Sequence, residues 1–295
     1  MKPLTVRHAT TYRYADWVTF GTHRLMIRPR DSHDLRLLSS TLTLSPPGRV
    51  RWVHDVFGNS VALVDFAQDA DELTIVSTLR LRRYGAGEPD FMIADEAVTY
   101  PFVYSTDDRT DLGRLLEQHY PDSKSSVADW AHQFVSHKGM DTLELLSTMN
   151  SAIKSRFTYA RREDEGTQPP SETIERNSGS CRDFALLLIE AARCLGFGAR
   201  FVSGYIYDAA RNGNSNQLGG GATHAWADIY LPGAGWVEYD PTNGLIAEEN
   251  LIRVAVTRDP SQAVPIGGSF VGDPSSFLGM KVAVTVTAGR APKGT

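Results

Sequence analysis

The stretch SGSCRDFALLLIEAARCLG, residues 178 to 196, constrains the chain more than any other. Phe184, Leu187, Leu188, Ala191, Ala192 and Leu195 recur at three- and four-residue spacing, which predicts an α-helix with one buried face. Ser178, Gly179 and Ser180 supply a turn and an N-cap, and Gly196 stands where a left-handed residue ends a helix. Cys181 is therefore predicted at a helix N-terminus. Backbone N–H groups there lack helical acceptors, and with the positive end of the helix dipole they favour a thiolate. The same groups can stabilise an oxyanion forming on a substrate carbonyl. Burying such a helix takes a sizeable body, and 295 residues are enough for two domains.

The rest of the chain divides around this helix. Short runs rich in Val, Leu, Thr and aromatics at 4–14, 18–27, 35–44, 50–56, 61–66 and 73–81 predict strands, with Gly58-Asn59 as a hairpin turn. Strands at this spacing without helices predict an antiparallel β-sandwich over residues 1–105, its last part a linker from about 84. Residues 106–295 then read as an α+β core with C-terminal strands. Helical segments are expected at 109–119, 124–137 and 141–155, the last capped by Asp141, and a surface loop at 161–177 with one helical turn after Pro170. Behind the Cys181 helix come strands at 198–207, 223–231 and 235–240, the latter two a hairpin about Pro232-Gly233, and two more at 251–257 and 280–287. The Gly- and Asn-rich stretch 208–222 is expected to be a mobile lid, and 289–295 a disordered tail.

The hairpin adds chemistry by counting. If Tyr230 faces Trp236 across the turn, Trp226 faces Asp240 and His224 lies one diagonal step from Asp240, all three on one face of the sheet. A slip of two residues puts His224 directly opposite Asp240. A cysteine activated by a histidine that a carboxylate orients is the general arrangement of nucleophilic catalysis. Each part also has a plain structural reading: a lone cysteine on an apolar helix is usually a small core residue, and Asp240 before Pro241 can simply start a turn. The conjunction favours catalysis. Cys194, among Ala and Leu, reads as core; it lies about 20 Å along the helix from Cys181, too far for a disulfide. No close-spaced Cys or His pair suggests a metal, and no glycine-rich phosphate loop suggests a nucleotide. A net charge of -5 gives no support for nucleic-acid binding. The first residues lack a signal-peptide apolar region and no window is apolar enough to span a membrane, so a cytoplasmic protein without membrane contact is expected.

GSCRDFALLLIEAARCLGFGARFVSGY and THAWADIYLPGAGWVEYDPTNG resemble the core motifs of the bacterial transglutaminase-like superfamily, and YRY, HRLMIRPR and DVFGN resemble the β-sandwich region that often precedes that core. The resemblance implies a papain-like α+β fold and a Cys-His-Asp triad, matched at Cys181, His224 and Asp240, acting on amide bonds without metal or organic cofactor. It also implies a protein or peptide substrate, or a small amide. Hydrolysis is expected over crosslinking; the rival is a catalytically silent binding or scaffold protein of the same fold. Besides the Cys181 N–H, side-chain candidates for oxyanion or groove contacts are Trp226 and Tyr159.

Overall fold

In the computed structural model, which describes residues 3–84, 92–160, 166–207, 222–247 and 250–289, alternation of apolar residues carries the first part of the chain into strands. These are β1 (Leu4–Phe20), β2 (His23–Arg28), β3 (Leu35–Ser45), β4 (Gly48–His54), β5 (Ser60–Phe66) and β6 (Ala70–Arg83). One sheet runs β1-β6-β3 and the other β2-β5-β4, all antiparallel. Tyr14, Val18, Phe20, Leu25, Ile27, Ala62, Val64, Leu73 and Ile75 fill the space between them. The expected break after Tyr14 does not occur. A bulge between Arg13 and Val18 shifts the register without ending the strand, which stops instead at Gly21, where any Cβ would strike the Ser269 side chain.

The second part begins with β7 (Thr99–Tyr100), α1 (Thr106–Leu112), α2 (Ser126–His132), β8 (Met140–Asp141) and α3 (Thr142–Arg156). Asp122 accepts from the N–H groups of Ser126, Val127 and Ala128 and fixes where α2 starts, and the helix ends at His132, five residues before its expected end. Asp141 caps α3 through the Glu144 N–H, as its position predicts. β9 (Thr158–Tyr159), α4 (Pro170–Arg176) and β10 (Ser178–Gly179) lead into α5 (Cys181–Cys194). The 161–177 stretch is not wholly a surface loop: Gln168 and Thr173 are buried, while 161–165 lie outside the described residues.

α5 is enclosed on nearly every side rather than along one face. Ala185, Leu187, Leu188, Ala191 and Ala192 pack among α2, α3 and a sheet ordered β14-β13-β12-β11-β15. Those strands are β11 (Ala199–Ile206), β12 (His224–Leu231), β13 (Gly235–Asp240), β14 (Leu245–Ile246) and β15 (Leu251–Thr257). Three charged residues, Asp183, Glu190 and Arg193, go inside with the helix, and the latter two satisfy each other there. Arg193 bonds Glu190 at 2.7 Å and donates to the carbonyls of Leu115, Ala199 and Arg258, while Glu190 accepts from the His119 and Tyr120 N–H groups.

After β15 the chain returns to the sandwich, which corrects the expectation that everything beyond 106 stays with the core. β16 (Ile266–Gly267) pairs with β2, and β17 (Phe270–Val271) and β18 (Phe277–Ala288) pair with β1. The physical reason is a free edge: β1 is bonded to β6 on one side only, and β18 completes the other from Tyr14↔Phe277 to Leu4↔Ala288. Its Val284 then joins Leu4, Val6, Leu79 and Leu81 of the sandwich with Tyr205 and Ile252 of the core. The two parts are thus sewn together. Asn59 adds a seam: its side-chain amide donates to the Val256 carbonyl at 2.7 Å and accepts from the Val256 N–H at 2.9 Å, imitating one more strand along β15. Among the described residues no helix is long and apolar enough to cross a membrane.

Candidate active site

The start of α5 is held by a carboxylate. Asp183, fully buried, accepts from the Ser180 N–H and hydroxyl at 2.8 Å each and from the Gln168 N–H at 2.7 Å. The Gln168 side chain in turn donates to Thr173 at 3.0 Å and to the Ser178 carbonyl at 3.1 Å. Gly179 lets this turn close, since a Cβ there would lie 2.9 Å from the Asp183 side chain and 3.2 Å from the Phe184 ring. The result is that Cys181 opens α5 with its position fixed from both sides, and only 7% of the residue is exposed.

His224 and Asp240 come from the hairpin in the first of the two registers considered, with Tyr230 opposite Trp236 and Ala227 opposite Tyr239. His224 Nε2 lies 2.8 Å from Asp240 Oδ2, both side chains shut off from solvent. A carboxylate can only accept, so the ring proton sits on Nε2 and Nδ1 is left as the basic nitrogen. Asp240 is itself pinned by the turn after it: Oδ1 accepts from the Thr242 N–H at 3.0 Å and the Asn243 N–H at 3.3 Å, and Oδ2 also accepts from Asn243 Nδ2 at 2.8 Å.

These contacts set the charges. Burial pulls the His224 pKa down, but the Asp240 charge, its hydrogen bond and the neighbouring Cys181 outweigh burial and hold the imidazole up at about 10. For Asp240, burial pushes upward and is outweighed by the His224 charge and by hydrogen bonds from His224 and Asn243, which keep the carboxyl below its ordinary range. Cys181 is the smaller of the two upward influences on the ring, and His224 Nδ1 itself makes no hydrogen bond. Of the three residues picked out in the sequence, His224 and Asp240 are hydrogen-bonded as a buried pair, and Cys181 opens α5 without a hydrogen bond to the ring.

The weaker candidates fare differently. Trp226 is fully buried, its ring tilted against the His224 ring at 6.0 Å, so it supports the imidazole from the side. Tyr159 sits on β9, paired with β10 just ahead of Cys181, and its ring meets Phe184 at 6.4 Å. Cys194 is partly buried and packs against the edge of the core, and both cysteines are free. Asp183, Gln168 and Asn243 are the residues that sequence reasoning passed over. The signal for Asn243 was present in DPTNG, where an Asx turn and a second amide stand next to the acid. The stretch expected to be a lid, 208–222, falls almost entirely outside the described residues. Among the described residues no group of three or more His, Cys, Asp or Glu is placed to hold a metal ion.

Residues 4–82 match the model of the bacterial transglutaminase-like N-terminal region, and residues 128–241 that of the transglutaminase-like superfamily. An uncharacterised protein of Mycobacterium tuberculosis is 27% identical over 97% of this chain and 93% of its own length, and one of Mycobacterium leprae is 24% identical over 96% and 98%. Among solved structures, a candidate cysteine protease from Cytophaga hutchinsonii has a TM-score of 0.73 over 98% of this chain and 92% of that one, at 18% identity. That last likeness is one of fold.

Proposed function

Given that the chain belongs to the transglutaminase-like superfamily, with that superfamily's bacterial N-terminal region in front of the core, we propose that it is a thiol-dependent amide-bond enzyme. The observation that carries this reading is the buried His224–Asp240 pair at 2.8 Å, whose Nδ1 is left unbonded, together with Cys181 at the start of α5. In the proposed reaction the Cys181 sulfur attacks the carbonyl carbon of a peptide or carboxamide, its proton having passed to His224 Nδ1. The carbonyl electrons move to oxygen, where the Cys181 N–H at the start of α5 stabilises the charge. As the C–N bond breaks, His224 returns the proton to the departing amine, leaving a thioester on Cys181. Water then attacks the thioester, gives its proton to His224, and the carbon–sulfur bond breaks to release the acid. Asp240 keeps the proton on Nε2 throughout, so that Nδ1 stays free to accept and donate.

Hydrolysis is preferred over transfer to an amine because transfer carries the further demand that water be excluded while an amine is admitted. Protein or peptide chains, or a small amide, are the substrate class. Incubating the protein with a glutamine peptide and a labelled primary amine separates the outcomes. Free acid with little conjugate is expected; abundant conjugate overturns the preference for water, and no turnover on a broad set of glutamine peptides and protein substrates overturns the enzyme reading.

A further inference from the structure

The sandwich holds a cavity of about 270 Å³ that the proposed chemistry does not use. It opens between the two sheets, lined by Arg28, His54 and Ser60 from one, Leu37 from the other, and the Pro29-Arg30-Asp31 corner. Register explains why these side chains meet. Arg28 and His54 are both cross-strand partners of Ser60, on either side of β5, so the three form one row across β2, β5 and β4.

The charges in this cavity do not balance. Neither Arg28 nor Arg30 is paired with a carboxylate among the described residues. Both guanidiniums are nevertheless held in place: Arg28 lies 5.4 Å over the Trp52 ring, and Arg30 donates to the Gly58 carbonyl at 2.7 Å. Gly58 has φ of 75°, a left-handed conformation that favours glycine, and a Cβ there would push the Arg30 guanidinium aside. The one acid present, Asp31, is already engaged by Arg36 at 3.6 Å and by the Leu37 N–H. The wider setting agrees. Residues 1–84 carry 12 Lys and Arg against 8 Asp and Glu, whereas the remainder carries 18 against 27.

The geometry points to a binding site for a small anionic ligand, a phosphate or carboxylate group held by Arg28 and Arg30 with His54 and the Ser60 hydroxyl as further partners. Two prepositioned guanidiniums suit such oxyanions because their planar N–H donors match the oxygens in pairs. The volume lies just below the usual range for drug-sized ligands, which fits a compact ion or a head group. The lining residues all belong to the sandwich and none is Cys181, His224 or Asp240, so this site does not depend on the proposed amide chemistry.

Isothermal calorimetry on the full chain, at constant ionic strength, with inorganic phosphate in one arm and succinate in the other, tests this. Saturable binding of at least one anion at one site per chain is expected, and which arm binds identifies the group. Arg28→Gln and Arg30→Gln should each weaken it about tenfold or more, while Arg51→Gln, the same charge lost from the exposed face of β4, should leave it within about twofold. Cys181→Ala should bind as the wild type does. No saturable binding in either arm, or equal weakening by Arg51→Gln, overturns the site. Circular dichroism and melting of each variant confirm folding; should Arg28→Gln fail to fold, the exposed Arg30 carries the test alone.

Discussion

Asp240→Asn keeps the shape of the side chain and exchanges an acceptor for a donor where donors converge. Oδ2 takes hydrogen bonds from His224 Nε2 and Asn243 Nδ2, each at 2.8 Å, and Oδ1 takes two more from backbone N–H groups. Whichever way the new amide points, its NH₂ meets N–H groups, and the least costly relief is for His224 to move its proton to Nδ1. That is the nitrogen needed as the base. The electrostatic consequence is larger still. Asp240 makes the largest upward contribution to an imidazole held at about 10 against burial, with Cys181 adding to it, so without the Asp240 charge the pKa should fall towards its ordinary 6.5. Such a fall is worth about 5 kcal/mol, with no solvent screening to discount it at a fully buried ring.

The sign of the pH dependence follows. Because the folded His224 pKa is raised, its contribution to stability is complete below 6.5 and is lost as pH rises through about 10. Because the folded Asp240 pKa is lowered, its contribution is present above 3.8 and is lost as pH falls through the lowered value. The stability advantage of the wild type over Asp240→Asn should therefore be greatest between 3.8 and 6.5 and shrink on either side. Nitrogen-15 NMR of labelled histidine reads the ring directly, and urea unfolding at several pH values reads the stability. An imidazole that titrates at the same pH in both proteins, or a stability difference that does not change with pH, would refute this reasoning.

Three further outcomes are expected. Asp183→Ala removes the carboxylate that caps α5 and leaves the buried Gln168 N–H without its acceptor, at a cost of about 2–4 kcal/mol in urea unfolding; a loss under about 0.5 kcal/mol would contradict the anchoring role. Asn59→Ala strips the seam along β15 of both its bonds to Val256 and should cost about 2–3 kcal/mol, where no loss would mean that the sandwich and core are joined by other contacts alone. Gly204→Ala should lower stability by about 3 kcal/mol or prevent folding, since its Cβ would collide with the Ile252 carbonyl and lie 2.8 Å from the Trp226 ring; a variant that melts normally would show that β11 and β15 can part more easily than their packing implies.

What could be read from the sequence and what could not divides along physical lines. Local periodicity and punctuation gave α5 from Cys181 to Cys194 and the hairpin about Pro232-Gly233, because helix caps and two-residue alternation are written in neighbouring residues; between the two registers they allowed, only the structure decides. With the register came the meeting of His224 and Asp240. Partner choice is not local. The alternating valines of β18 announce a strand but not that it crosses back to β1, some 270 positions earlier in the chain. Burial of polar residues is equally hidden: Glu190 and Arg193 look like the solvent face of α5, and only their bonds to α5's surroundings make them interior. The supports of the site, Asp183 and Asn243, were hidden for the same reason, since an acid or amide two or three positions along reads as an ordinary surface residue until the turn closes.

The most direct measurement for the central claim is the rate at which each cysteine is alkylated in the native protein. Exposure alone favours Cys194, which is only partly buried, over Cys181 at 7%. Burial, followed by the Asp122 and Glu190 charges, pushes the Cys194 thiol up, whereas Cys181 lies at the N-terminus of α5 beside a ring held as an imidazolium. With limiting iodoacetamide at mildly acidic pH, and mass spectrometry of the digested protein as readout, Cys181 should be labelled at least about tenfold faster than Cys194, and His224→Ala should slow Cys181 by a similar factor. Equal rates at the two thiols, or a Cys181 rate untouched by the loss of His224, would contradict an activated nucleophile at this site.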